Sequence, residues 1–127
     1  MPDRRRGVLL SDDNDVRDIA LSLPGAVEVQ SDGFDFRVDG HGFVWSYPER
    51  VPGKPRRIRR DIAVLYVGDE SEKQALLLGE PDTFFSAAGY GHAPLVLVRL
   101  AKVDPERLRE LITDAWDMRS ASTNSGD

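Results

Sequence analysis

The chain has 127 residues, of which 40% are hydrophobic and 31% charged; it carries a net charge of −5, two histidines and no cysteine. That composition fits one globular domain. It excludes a disulfide scaffold, thiolate metal sites and a cysteine nucleophile, and His41 and His92 are too few to build a histidine metal centre.

Arg4, Arg5 and Arg6 precede Val8-Leu9-Leu10, which imitates the start of a secretion signal. The apolar stretch ends at Ser11, too short for such a signal. No apolar run approaches the about 20 residues of a spanning helix. A cytoplasmic protein is expected, with a flexible start over residues 1–11.

Asp12, Asp13 and Asn14 offer N-cap oxygens. Val16, Ile19, Ala20 and Leu23 follow at helical spacing, and Pro24-Gly25 ends the helix. Val27 and Val29 then alternate with polar residues, and Ser31-Asp32-Gly33 reads as a turn. Phe34, Phe36 and Val38 give a second alternating strand. Asp39-Gly40 is a strong two-residue hairpin signal. The returning strand carries His41, Phe43, Trp45 and Tyr47, which strict alternation predicts on one face, packed under the helices. A loop is predicted over residues 48–57, with prolines at 48, 52 and 55. A long strand is predicted over 58–67, with Ile62, Val64 and Tyr66 on one face and Leu65 and Val67 on the other.

Gly68-Asp69 opens a second helix, where Ser71 and Gln74 fit a capping box. Leu76 to Leu78 supply its apolar contacts, and Gly79 is expected in the left-handed position that ends it. Thr83-Phe84-Phe85 reads as a short strand, residues 89–94 as a turn-rich loop and Leu95 to Leu100 as a buried strand. In the last helix Asp104 caps and Pro105 takes the first turn. Leu108, Leu111, Ile112, Ala115 and Trp116 then make one apolar stripe. Residues 120–127 read as a disordered polar tail, leaving a single domain over 12–119. The order, α-β(3-4)-α-β(2)-α, predicts an α+β two-layer fold with helices on one face of an antiparallel sheet.

Several stretches resemble the MmcQ/YjbR family of small bacterial proteins: Ala20-Leu21-Ser22-Leu23-Pro24-Gly25, Phe36-Arg37-Val38, Glu80-Pro81-Asp82-Thr83-Phe84-Phe85, Gly91 to Leu100, Val103-Asp104-Pro105-Glu106 and Ala115-Trp116. The resemblance spans about residues 15 to 119. It implies a secretion-chaperone-like, double-wing fold and a DNA-binding role, and it brings no catalytic residue with it. These motifs are caps, turns and core, so they bear on fold more than on function.

One segment concentrates chemistry. Arg50, Lys54, Arg56, Arg57, Arg59 and Arg60 place six of the seventeen basic residues between positions 50 and 60, with no acid among them. Clustered arginines match phosphate oxygens. On an extended chain Arg57 and Arg59 would point the same way, and Gly53-Lys54-Pro55-Arg56 resembles the core of a minor-groove hook. The segment is thus expected to be a wing that touches duplex DNA. The other reading is a charged loop that keeps a sheet edge soluble, in keeping with a chain whose overall charge would repel DNA. A protein-interaction or chaperone-like module, with a protein partner or a homodimer, is the alternative function. No cofactor, no metal and no enzymatic activity are expected: Gly40-His41-Gly42 lies at a hairpin rather than before a helix, and no acid–base pair of carboxylates stands out.

Overall fold

The computed structural model describes residues 10–124. In chain order the elements are α1 (Asp13–Leu21), β1 (Ala26–Glu28), β2 (Asp35–Val38), β3 (His41–Glu49), β4 (Arg57–Tyr66), α2 (Glu70–Gly79), β5 (Phe84–Phe85), β6 (Leu95–Arg99), a 3-10 turn (Leu100–Lys102) and α3 (Pro105–Asn124). The strands form one sheet in the order β1-β2-β3-β4-β6-β5, with every neighbouring pair antiparallel. This is the expected α+β architecture.

Local chemistry explains most boundaries. The Asp12 carboxylate accepts from the backbone N–H groups of Asn14 and Asp15, while the Asp15 carboxylate accepts from the N–H of Asp12. That reciprocal box satisfies donors the helix leaves open. Asp39 and Gly40 both take positive φ, 53° and 82°, as a two-residue hairpin turn requires. Asp104 accepts from the N–H groups of Glu106 and Arg107 at the start of α3.

All three helices bury apolar side chains against one face of the sheet. Val16, Ile19 and Ala20 of α1, Leu76 of α2, and Leu108, Ile112 and Ala115 of α3 pack with Phe34, Phe36, Phe43, Val44 and Leu65. Trp116 Nε1 donates to the carbonyl of Pro24 at 2.9 Å, tying α3 to the end of α1. The opposite face carries Trp45, Tyr47, Ile62, Val64, Phe85, Leu95 and Leu97, and the loop after β5 closes it with Ala87 and Tyr90.

Several details depart from the sequence reading. The His41, Phe43, Trp45 and Tyr47 side chains do not share a face. Phe36 pairs with Val44 and Arg37 with Gly42, so Phe43 is an extra, unpaired residue in β3. A bulge of this kind shifts the alternation by one: Phe43 and Val44 both enter the helix-side core, and Trp45 and Tyr47 pass to the other face. Strand β3 runs on to Glu49, shortening the loop to residues 50–56. Asp69, not Ser71, caps α2, accepting from the N–H of Glu72, and Gln74 bonds the Glu70 side chain. Gly79 is the last helical residue rather than a left-handed stop, and Leu78 lies 79% exposed.

Both expected loose ends are partly ordered. Leu10 and Ser11 donate through their backbone to Ala101 and Leu100, and the Ser11 hydroxyl bonds the Val103 carbonyl. Helix α3 continues to Asn124, since no proline or glycine interrupts it before Gly126. The rest of the expected flexible start (residues 1–9) and of the expected tail (125–127) lies outside the described residues.

Candidate nucleic-acid interface

The six basic residues expected to meet phosphate lie at or next to the tip of the β3–β4 hairpin. Pro52 and Gly53 turn the chain there: the N–H of Lys54 donates to the Val51 carbonyl at 3.0 Å, and Gly53 holds φ at 82°. A proline followed by a positive-φ glycine is the composition of a type II turn. The Gly53-Lys54-Pro55-Arg56 stretch therefore starts in a turn and is not the extended peptide that a minor-groove hook needs. Residues 50–57 are all exposed.

The cations at this tip divide into two groups. Arg59 is held from both sides. Its Nε and Nη2 bond the Asp61 carboxylate at 2.9 and 2.8 Å, and its Nη1 lies 3.3 Å from Glu49. The hydrogen bond to Asp61 keeps the Arg59 guanidinium above its ordinary pKa, with Glu49 adding to it against burial. The same bond holds the Asp61 carboxyl below the usual carboxylate range. Arg59 and Arg57 are thus not an equivalent pair, although the strand carries them on one side. Arg60 lies 3.9 Å from Asp13 at the start of α1, and Arg56 4.0 Å from Asp32 in a far more exposed pair. Among the described residues Arg50, Lys54 and Arg57 make no ion pair.

The register of β4 shifts within this segment. Ser46 pairs with Ala63, but the next residue of β3, Tyr47, pairs with Arg59. Arg60, Asp61 and Ile62 fall between these two pairs and bulge from the ladder, a shift that re-aims side chains. Arg59 and Asp61, two residues apart, lie on one side of the chain and pair there, as Asp35 and Arg37 do in β2, while Arg60 lies against Asp13.

Two further features lie outside what the sequence reading named. Lys73 of α2 is 1% exposed, and its Nζ donates to the carbonyls of Tyr90, Gly91 and Ala93 at 2.6, 3.2 and 2.8 Å. Three acceptors satisfy the three donors of an ammonium, and they fix the loop over the second face of the sheet. The only sequence trace is its place three residues before Leu76, on the buried side of α2. Beside that loop a cleft of about 660 Å³ is lined by Tyr47, Pro48, Arg50, Ala87, Gly89 and Tyr90. The rings of Tyr47 and Tyr90 meet edge to face at 6.0 Å. Burial raises the Tyr90 phenol above its ordinary pKa, Tyr47 adds to the shift, and the charge of Arg50 opposes it.

Charge is segregated in the fold. A groove of about 230 Å³ between the end of β4 and α3 is flanked by Asp69, Glu72, Asp114 and Asp117, which turns this side from polyanions. His41 lies in β3 and His92 in the loop after β5, and among the described residues no group of three or more metal-binding side chains could hold a metal ion. No helix of the described residues is long and apolar enough to cross a membrane.

Comparison with known proteins agrees with this architecture. The family model described as YjbR matches residues 21–118. Uncharacterized proteins of Mycobacterium tuberculosis and Mycobacterium bovis are 34% identical over 114 residues, covering 84% of this chain and 87% of theirs. Among solved structures, a Deinococcus radiodurans protein with a DUF419 domain superposes with a TM-score of 0.57 at 22% identity. That match covers 86% of this chain and 78% of the other, and it shows the shared fold.

Proposed function

The chain belongs to the YjbR family, and on that premise we propose that it is a non-catalytic module that holds duplex DNA by its phosphates through the tip of the β3–β4 hairpin. The observation that carries this reading is the set of four outward cations, Arg50, Lys54, Arg56 and Arg57, on one exposed turn with no acid between positions 50 and 58. Arg59 is engaged by Glu49 and Asp61, so its part in this reading is to stiffen the base of the wing. Arg60, beside Asp13, orients the wing against α1. The net charge of −5 opposes approach from a distance, but screening at physiological salt limits that repulsion to about 8 Å, so the local cluster governs contact.

The test is fluorescence anisotropy of a labelled random duplex from low to physiological salt. If four cations meet phosphates, log K falls against log salt with a slope of about −3.6. Replacing Arg50, Lys54, Arg56 and Arg57 by alanine flattens that slope without unfolding the protein. A slope unchanged by the substitutions would locate binding elsewhere. No binding even at low salt would end the DNA reading and turn the search to a protein partner or a homodimer, the latter read by light scattering.

A further inference from the structure

The cleft beside the loop after β5 has the makings of a small-molecule site. It measures about 660 Å³, within the usual size of ligand pockets. Arg50 is the one charged residue among those that line it, in a chain of net charge −5.

Three donors line it. Tyr47 is nine-tenths buried, yet its hydroxyl makes no hydrogen bond among the described residues. Nor is that hydroxyl sealed from solvent: among the described residues the one fully enclosed side-chain atom without a partner is Ser120 Oγ. The remaining accessible part of Tyr47 therefore opens on the cleft it lines. The Tyr90 hydroxyl likewise lacks a protein partner, and Arg50 has no ion pair among the described residues. Three donors without a protein acceptor among the described residues, two phenols and a guanidinium, thus line one cleft and are open to a ligand there.

We propose that this cleft binds a phosphate monoester carried on a flat ring: a nucleoside monophosphate, free or at the end of a DNA strand. The guanidinium and two phenols offer enough donors for the three terminal oxygens of a monoester, with the arginine bonding two of them at once. A phosphate alone leaves most of the volume empty. The remaining walls, Pro48, Ala87, Ala88 and the tyrosine rings, are apolar and suit the face of a base. Lys73 fixes the loop that forms one wall, so the site is largely formed before ligand arrives. The site shares Arg50 with the wing but stands whether or not the wing binds duplex DNA.

Isothermal titration of the full chain with adenosine 5′-monophosphate, adenosine and inorganic phosphate tests this. The monophosphate is expected to bind at least about tenfold more tightly than adenosine, and Tyr47→Phe or Arg50→Ala each to weaken it by about tenfold or more, the range for hydrogen bonds to charged groups. Tyr47→Phe removes only a hydroxyl, so the core stays filled, and it leaves the salt dependence of duplex binding unchanged. A second arm compares an oligonucleotide bearing a 5′ phosphate with the same strand bearing a 5′ hydroxyl. A preference for the phosphorylated strand over free monophosphate assigns the site to strand ends, and the reverse assigns it to free nucleotide. Equal affinity for monophosphate and adenosine, no heat at millimolar ligand, or affinities unmoved by both substitutions would overturn the proposal.

Discussion

Under α1 and α3 the sheet buries twenty apolar residues in one continuous cluster, including Phe34, Phe36, Phe43 and Phe84. On its other side the buried cluster among the described residues is just Tyr47, Ile62, Val64 and Leu97, and a loop rather than a helix closes over them. The first face rests on many interchangeable apolar contacts. The second rests on a buried ammonium that gathers three carbonyls of the loop. The difference separates stability from function: the redundant face carries the fold, and the thinly covered face is the one next to the cleft and the wing.

Substitutions in each region can break or sharpen this contrast. Phe36→Ala, in the wholly buried helix side, is expected to cost about 4 kcal/mol in urea unfolding. A loss as small as that of a surface residue would erase the contrast. Lys73→Ala strands three carbonyls in a dry place and is expected to cost about 3 kcal/mol. Amide exchange should quicken over residues 86–94 and not in α1 or α3. Uniform quickening would show that the loop is part of the main core.

Arg59→Ala is expected to cost only about 0.5 kcal/mol, because Asp61 is 60% exposed and solvent screens the pair. The Asp61 carboxyl is depressed in the folded state. Its contribution is therefore present above the ordinary aspartate pKa and lost as pH falls through the folded value. Wild type and Arg59→Ala should converge in stability in acid; a constant gap would mean that Arg59 acts through packing. The smallest effect lies at high pH. The Tyr90 pKa is raised above 10.0, so its contribution is full below that value and fades as pH rises through the folded pKa. Ultraviolet titration should find a tyrosine ionising above the ordinary phenol pKa, and Tyr90→Phe should remove that step.

The helix-covered face was legible because its elements follow simple periods. The stripe Val16, Ile19, Ala20 and the stripe Leu108, Ile112, Ala115 bury as their spacing predicts. Asp39-Gly40 makes its turn because both residues tolerate positive φ. What periodicity missed are the two breaks in register. One extra residue at Phe43 sends Trp45 and Tyr47 to the opposite face, and three at Arg60 to Ile62 separate the partners of Ser46 and Tyr47 on β4. A bulge carries no composition signal, so an alternating pattern read straight through it puts the wrong residues together. The basic cluster was visible as composition. That Arg59 is engaged follows from Glu49 and Asp61, the acids immediately flanking the cluster, which counting charges inside it leaves out. Lys73 was invisible for another reason: its acceptors are backbone carbonyls, which every residue possesses.

The hydrogen bonds from Trp116 to Pro24 and from Ser11 to Val103 each join residues 92 positions apart. On the ribosome, synthesis proceeds at about 5–20 residues per second. The strands β1 to β4 are thus made seconds before the helix that covers them. During that interval Phe34, Phe36, Phe43 and Leu65 have no α3 to lie against, and the nascent sheet offers a bare apolar surface. The main core of this domain consequently closes late, only once α3 has been made. A holding chaperone is expected to contact the nascent chain until α3 has left the exit tunnel.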